Sequence, residues 1–219
     1  NVSSLWQQIE DASNEINNWL DDIDSIILES IENKKEVEGG FMRLNKYKIE
    51  LPSYINLKLE MENKIQEIKK IRSLNLEPQR IQHISEAIHQ RFAEISDRVK
   101  DLENMANTFS QDEKDFKMKL KTINENINRT RDKIFECDDT SGEVEKNVES
   151  FNKCYAIDTD LDQNQKELTS LTTALNTLLV NFPSVKESAL PKELENIKKR
   201  QDVLMKNNEK NKKNLCNHI

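Results

Sequence analysis

Turn-making residues are scarce in this chain: 219 residues include 3 glycines and 4 prolines. Ordinary globular domains carry several times that density. So few turns exclude a fold of many short elements and leave few, long ones. Long apolar runs are also missing. No stretch approaches the roughly 20 apolar residues of a membrane span, and the first residues lack the basic and apolar regions of a signal peptide. Positive charge is in deficit: the net charge of −7 argues against general affinity for nucleic acid or anionic lipid. Cysteine is sparse and odd in number. Cys137, Cys154 and Cys216 have no metal-like spacing and read as reduced cytosolic thiols.

The usual marks of chemistry are absent too. His83 and His89 fall on different helix faces and His218 is near the end, so no histidine pair has the spacing of a metal site. Asp21-Asp22 and Asp138-Asp139 lack the glycine-turned loop of a calcium site, and no glycine loop could cradle a phosphate. Asn128-Arg129-Thr130 matches a glycosylation sequon by chance, inside an apolar-periodic stretch. No Ser or Cys sits in a nucleophile context. These readings give no catalytic residues, no metal, no cofactor and no enzyme.

What is present is charge and a narrow apolar pattern. Charged residues make up 33% of the chain and hydrophobic ones 35%, a balance shared by disordered chains and by long helices with a thin seam. Periodicity decides for helices. Apolar residues fall at Ile9, Ala12, Ile16, Trp19, Ile23 and Ile26, with steps of three and four, which is a heptad seam. Trp19, set among acids and amides, is therefore a core anchor, with Ile16 and Ile23 beside it. The seam weakens near Ser30, and Gly39-Gly40 ends a polar stretch as a break.

A second seam runs through Leu44, Tyr47, Leu51, Tyr54, Met61, Ile65 and Ile68, past Pro52, and ends at the segment closing on Pro78. Its spacing continues on both sides of the proline and predicts a kinked helix. A third runs from Ile81 through Ile84, Ile88, Phe92, Ile95, Val99 and Leu102. From Gln79 to Ser141 there is no glycine or proline, and the pattern carries on through Phe109, Phe116, Leu120, Ile123, Ile127 and Ile134. An unbroken helix of that length would span about 95 Å. A break is expected around Gly142. A further seam is read at Val144, Val148, Phe151, Tyr155, Leu161, Leu168, Leu171, Leu175 and Leu178. A last seam, at Leu194, Ile197 and Leu204, gives way to asparagine and lysine, which predicts a looser end beyond residue 205.

The seams repeat. A shift of 111 residues lays Ile9, Ile16 and Ile23 on Leu120, Ile127 and Ile134; a shift of 113 lays Pro78, Ile81 and Ile84 on Pro191, Leu194 and Ile197. Each unit is helix, break, helix, break, helix, and the third helix of the first passes unpunctuated into the second. The fold class is all-α: two tandem left-handed three-helix bundles, residues 1–105 and 106–219, joined by a continuous helix into a rod. Ile84, Ile88 and Ile127 join the core set. Leu102, Phe109 and Phe116 mark the junction.

This pattern resembles the spectrin-repeat family, which includes spectrin, dystrophin, spectraplakins and nesprins. The residues carrying the resemblance are Trp19-Leu20 in the first helix, the period of about 106–113 residues, and the uninterrupted stretch 100–116. The segment 41–58, with Pro52, looks like the second helix of dystrophin-type and nesprin-type repeats. The second unit has Thr130 where the first has Trp19. The resemblance implies a non-catalytic rod segment of a larger cytoskeletal linker or scaffold: spacer, mechanical element and docking surface. It implies cytoskeletal or scaffold protein partners and neighbouring repeats of a longer chain. The location implied is cytoplasmic and cytoskeleton-associated, with any nuclear-envelope or cortical address supplied by regions outside this segment.

Two other classes share the length and helicity. One is an adaptor or tether binding a defined partner through one helix face. The other is a membrane-shaping module of the BAR type, which the acidic balance and the duplication disfavour. Charge asymmetry bears on the first. Residues 1–33 hold eight acids and no Lys or Arg, whereas residues 190–219 hold eight basic residues against four acids. An acidic first helix could dock a basic partner.

Overall fold

The computed structural model describes residues 2–27, 37–71 and 78–219, with side chains from Ser3, Phe41 and Ile81 onward in the three stretches. All regular structure among the described residues is helical. Five helices follow in order: α1 Val2–Ile27, α2 Val37–Ile71, α3 Pro78–Glu136, α4 Val144–Asn181 and α5 Leu190–Cys216, with a 3-10 turn at Pro183–Glu187 between the last two. The chain divides into two compact units, Asn1–Thr108 and Phe109–Ile219. α3 supplies the last segment of the first and the first segment of the second.

The helix starts and stops follow from local chemistry. α3 begins on Pro78, where a missing N–H costs nothing because the first turn has no intrahelical acceptor for it. α3 ends at Glu136 and α4 starts at Val144, the break expected around Gly142. The intervening turn is closed by Asp139, which accepts from the Ser141 backbone N–H at 2.9 Å, and by Asn147, which donates to the Thr140 carbonyl at 3.2 Å. These bonds satisfy backbone groups of the turn itself.

Two expectations for α2 meet different fates. Gly39-Gly40 does not break the chain; both residues lie inside the first turn of α2. Glycine weakens a helix by about 1 kcal/mol per residue without forbidding it, and the apolar pattern beginning at Phe41 and Leu44 carries the helix. Pro52 lies within α2, which runs through it. The side chain is on the exposed face, where water can reach the carbonyl that the proline leaves without a donor. The weakening near Ser30 and the segment before Pro78 lie outside the described residues.

Within the first unit the helices run up, down, up. Arg91 reaches Asn17 and Asp21, and Arg98 reaches Asp24, so α1 and this part of α3 are parallel. Lys48 pairs with Glu103 and Lys58 with His89, so α2 opposes α3. The three share one core, in which Ile9, Ile16, Leu20, Ile27 and Met61 are wholly buried.

The second unit has the same order. Asn211 of α5 reaches the Ile134 carbonyl of α3, and Arg200 reaches Asn124 and Asn128. Asn164 of α4 meets Thr130 and Asp160 meets Lys133, which sets α4 against α3. The duplication read at an offset of 111 reappears as a shared device: an arginine of the third helix grips an asparagine of the first. Asn17 and Asn128 are related by the offset of 111, whereas Arg91 and Arg200 stand 109 residues apart, about one helical turn short of the offset read for the third helices.

Candidate functional site

Two clusters of side chains stand apart from plain heptad packing, one in each unit. In the first, Trp19 sits in α1 with 5% exposure. Its ring stacks on Tyr54 at 4.2 Å and on Tyr47 at 5.2 Å, both near-parallel, and Phe92 leans against it at 6.1 Å. α2 presents the two tyrosines one helical week apart, at positions 47 and 54, so one face brackets the indole. The indole N–H donates to Glu50 Oε2 at 2.8 Å. That bond supplies the polar contact a buried tryptophan needs. Burial first, then Glu15, Glu50 and Asp22, raises the Tyr54 phenol above its ordinary value; burial and then Glu103 does the same to Tyr47.

Of the core residues read from the sequence, Ile16, Ile23, Ile88 and Ile127 are buried beside Trp19 or in the second unit's core; Ile84 is half-buried at the edge. Leu102, Phe109 and Phe116 are buried. Phe109 packs on Phe182 at 4.5 Å, against the residue that opens the 3-10 turn. The acids of α1 are partly engaged inside their own unit: Asp21 pairs with Arg91 and Asp24 with Arg98. Those exposed or half-exposed pairs contribute little each.

A groove of about 790 Å³ opens between α1 and α3, lined by Ser13, Asn17, Gln82, His83, Ile84 and Glu86 among others. Asn17 is committed to Arg91 there. His89 stands elsewhere, at 3.0 Å from Lys58. Among the described residues no cluster of three or more His, Cys, Asp or Glu could hold a metal, and no helix is long and apolar enough to cross a membrane.

The second unit corrects the sequence reading. Val144, Val148 and Tyr155 are exposed and Phe151 is half-buried. The buried stripe at the start of α4 is one position back, at Asn147, Ser150, Cys154 and Ile157, before it rejoins the expected seam at Leu161 and Leu168. The same substitution of polar for apolar occurs in α5, where Gln201, Asn208 and Asn211 are buried and Leu215 closes the stripe. The region read as a loose polar end is thus part of a buried seam.

Amides can occupy a core when their hydrogens find acceptors. Gln201 donates to the Leu161 carbonyl at 2.8 Å, Asn208 to the Cys154 carbonyl at 3.1 Å and to Asp158 at 2.8 Å, and Asn211 to the Ile134 carbonyl at 3.0 Å. Asn164 donates to Thr130, which donates in turn to the Asn126 carbonyl. Thr130, the counterpart of Trp19, is thus a hydrogen-bonding node. Lys212 caps the seam. Burial pulls its ammonium pKa down, but its bonds to Asp158 and Glu209 outweigh this and leave it raised. Burial above all pushes the Cys154 thiol up to about 12 and Cys137 upward, which keeps both protonated and unreactive.

The seam is not fully satisfied. Asn147 Oδ1, Gln201 Oε1 and Asn208 Oδ1 are buried without a donor. Such an oxygen costs about 1–3 kcal/mol. Gln201→Met keeps the side chain's length and removes the orphan. It is expected to raise the stability of the second unit by about 1 kcal/mol, read as a higher urea midpoint at unchanged slope. A lower midpoint would mean that the amide is a net stabiliser.

The clusters define an all-helical protein of two three-helix units with a helix in common, its specialised contacts made between helices. Compared with known proteins, no protein-family model matches the chain, and no solved structure matches it. It is similar to the Drosophila melanogaster protein described as muscle-specific protein 300 kDa, with 30% identity over 198 residues. That match covers 90% of this chain and 2% of the relative. The chain thus corresponds over nearly its whole length to a small segment of a far longer protein.

Proposed function

We propose that this chain is a pair of spectrin-type repeats within a large cytoskeletal linker, serving as spacer, mechanical element and docking surface. The observation that carries the reading is α3: its 59 residues close one up-down-up unit and open the next without a turn. A helix common to both units leaves no turn in the chain between them. The similarity to a muscle-specific protein many times longer supports a place in a contractile or load-bearing cell, among protein partners and neighbouring repeats.

Pulling a single chain by its two ends tests the role. A mechanical element is expected to resist and then release length in a discrete step, at about 3.5 Å per freed residue, and to refold on relaxation. Smooth extension without a step would exclude it.

A further inference from the structure

The outer face of α2 carries a second heptad seam that its own unit does not use. Asn45, Ile49, Pro52, Asn56, Leu59 and Asn63 are spaced four, three, four, three and four, and all six are exposed. Ile49 is 79% exposed and Leu59 51%. In a chain one-third charged, six uncharged positions in heptad spacing on a solvent face form a stripe that a partner helix can cover.

The residues flanking the stripe decide what covers it. Lys46, Ser53 and Glu60 run along one side; Lys48, Ile55 and Glu62 run along the other. In an antiparallel helix pair each flank faces the same flank of its partner, and each core layer joins an inner position of one helix to the alternate inner position of the other. A two-fold axis beside residue 54 sets Ile49 against Leu59 of the second copy and Asn45 against Asn63. The same axis sets Lys46 against Glu60, Lys48 against Glu62, and Ile55 against its own symmetry mate. The four charges that flank the stripe, Lys46, Lys48, Glu60 and Glu62, each meet an opposite, twice over. A parallel pair would set Glu62 against Glu67 and leave Lys48 facing Ser53.

We propose that the outer face of α2 is a homodimer interface, on which a second copy of this chain docks antiparallel about a two-fold axis at residue 54. The self-complementary charge is the reason for choosing a second copy over a foreign helix, since an isologous contact requires a surface that matches itself. Asparagines in the layers specify register and direction at a cost in affinity. The flanking groups already make weak contacts at home, Lys48 with Glu103 at 2.8 Å and Lys58 with Glu62 at 3.7 Å. The dimer is therefore reversible. This inference does not depend on the proposed mechanical role.

A charge exchange read by analytical ultracentrifugation tests it. The wild-type chain is expected to show a concentration-dependent monomer–dimer equilibrium. The double variant Lys46→Glu, Lys48→Glu and the double variant Glu60→Lys, Glu62→Lys should each weaken it about tenfold or more. An equimolar mixture of the two should restore it, because each then meets the other's opposite charge. Thermal melts at low concentration confirm that the monomers stay folded. In a Cys216→Ser background, Ile55→Cys should cross-link to itself through a short bis-maleimide, whereas Leu59→Cys should cross-link to Ile49→Cys and not to itself. A chain that stays monomeric at its highest soluble concentration overturns the proposal. So does a dimer indifferent to charge reversal, or one in which Leu59→Cys couples to itself.

Discussion

Trp19→Ala is expected to destabilise the first unit by about 3–5 kcal/mol, the range for emptying a core aromatic site. Trp19 is nearly wholly buried, and three rings hold it. Removing the indole leaves Tyr47 and Tyr54 without the surface they stack on, and α2 carries both, so collapse into the space would require the helix to move. The lost hydrogen bond is a smaller matter, because Glu50 is half-exposed and water can replace the N–H donor. Trp19→Phe should accordingly cost much less. A urea titration of helical signal measures both, and an unchanged midpoint for Trp19→Ala would refute the anchor role.

Ala106→Pro is expected to have the second large effect. Ala106 lies in the uninterrupted run of α3, two residues before the boundary between the units. Proline there removes one backbone hydrogen bond and clashes with the carbonyl of Leu102, for about 3 kcal/mol. The more informative change is in cooperativity. While α3 is whole, melting either unit frays a helix the other depends on, and the two unfold together. With the helix interrupted, each unit keeps its core and loses that coupling. Both tryptophans, Trp6 and Trp19, belong to α1, so fluorescence follows the first unit alone while circular dichroism follows both. The two probes should give coincident transitions in the wild type and separate ones in Ala106→Pro. Coincident transitions in both proteins would show that the helix does not carry the coupling.

Most of the helical architecture is legible in the sequence because its cause is periodic and apolar. Ile9, Ala12, Ile16, Trp19 and Ile23 could be placed from spacing alone, and all are buried. The unbroken stretch after Gln79 could be read because glycine and proline are the residues that end helices. The misreadings in the second unit share one cause. Asn147, Gln201 and Asn211 are core residues whose partners are main-chain carbonyls, and every residue has a carbonyl, so no partner residue type marks them. Valines and a tyrosine one position away then carried the apolar signal and shifted the reading of α4 by one. Gly39-Gly40 misled for the opposite reason: a real local preference was overridden by the apolar face that follows it. The groupings around Trp19 and Thr130 were only half visible, since spacing could place each residue on its helix but not say which rings or hydroxyls would meet.

The amides of the second unit also bear on how a chain of like repeats avoids folding wrongly. Helices with interchangeable aliphatic seams can pair with a neighbour's helix almost as well as with their own, and tandem arrays are prone to that exchange. Asn164 needs a hydroxyl at the position of Thr130, and Asn208 needs a carboxylate at that of Asp158. A foreign helix, or the correct one displaced by a heptad, would bury those groups against hydrocarbon. The polar seam therefore works as a lock with one key, trading some depth of stability for fidelity of assembly.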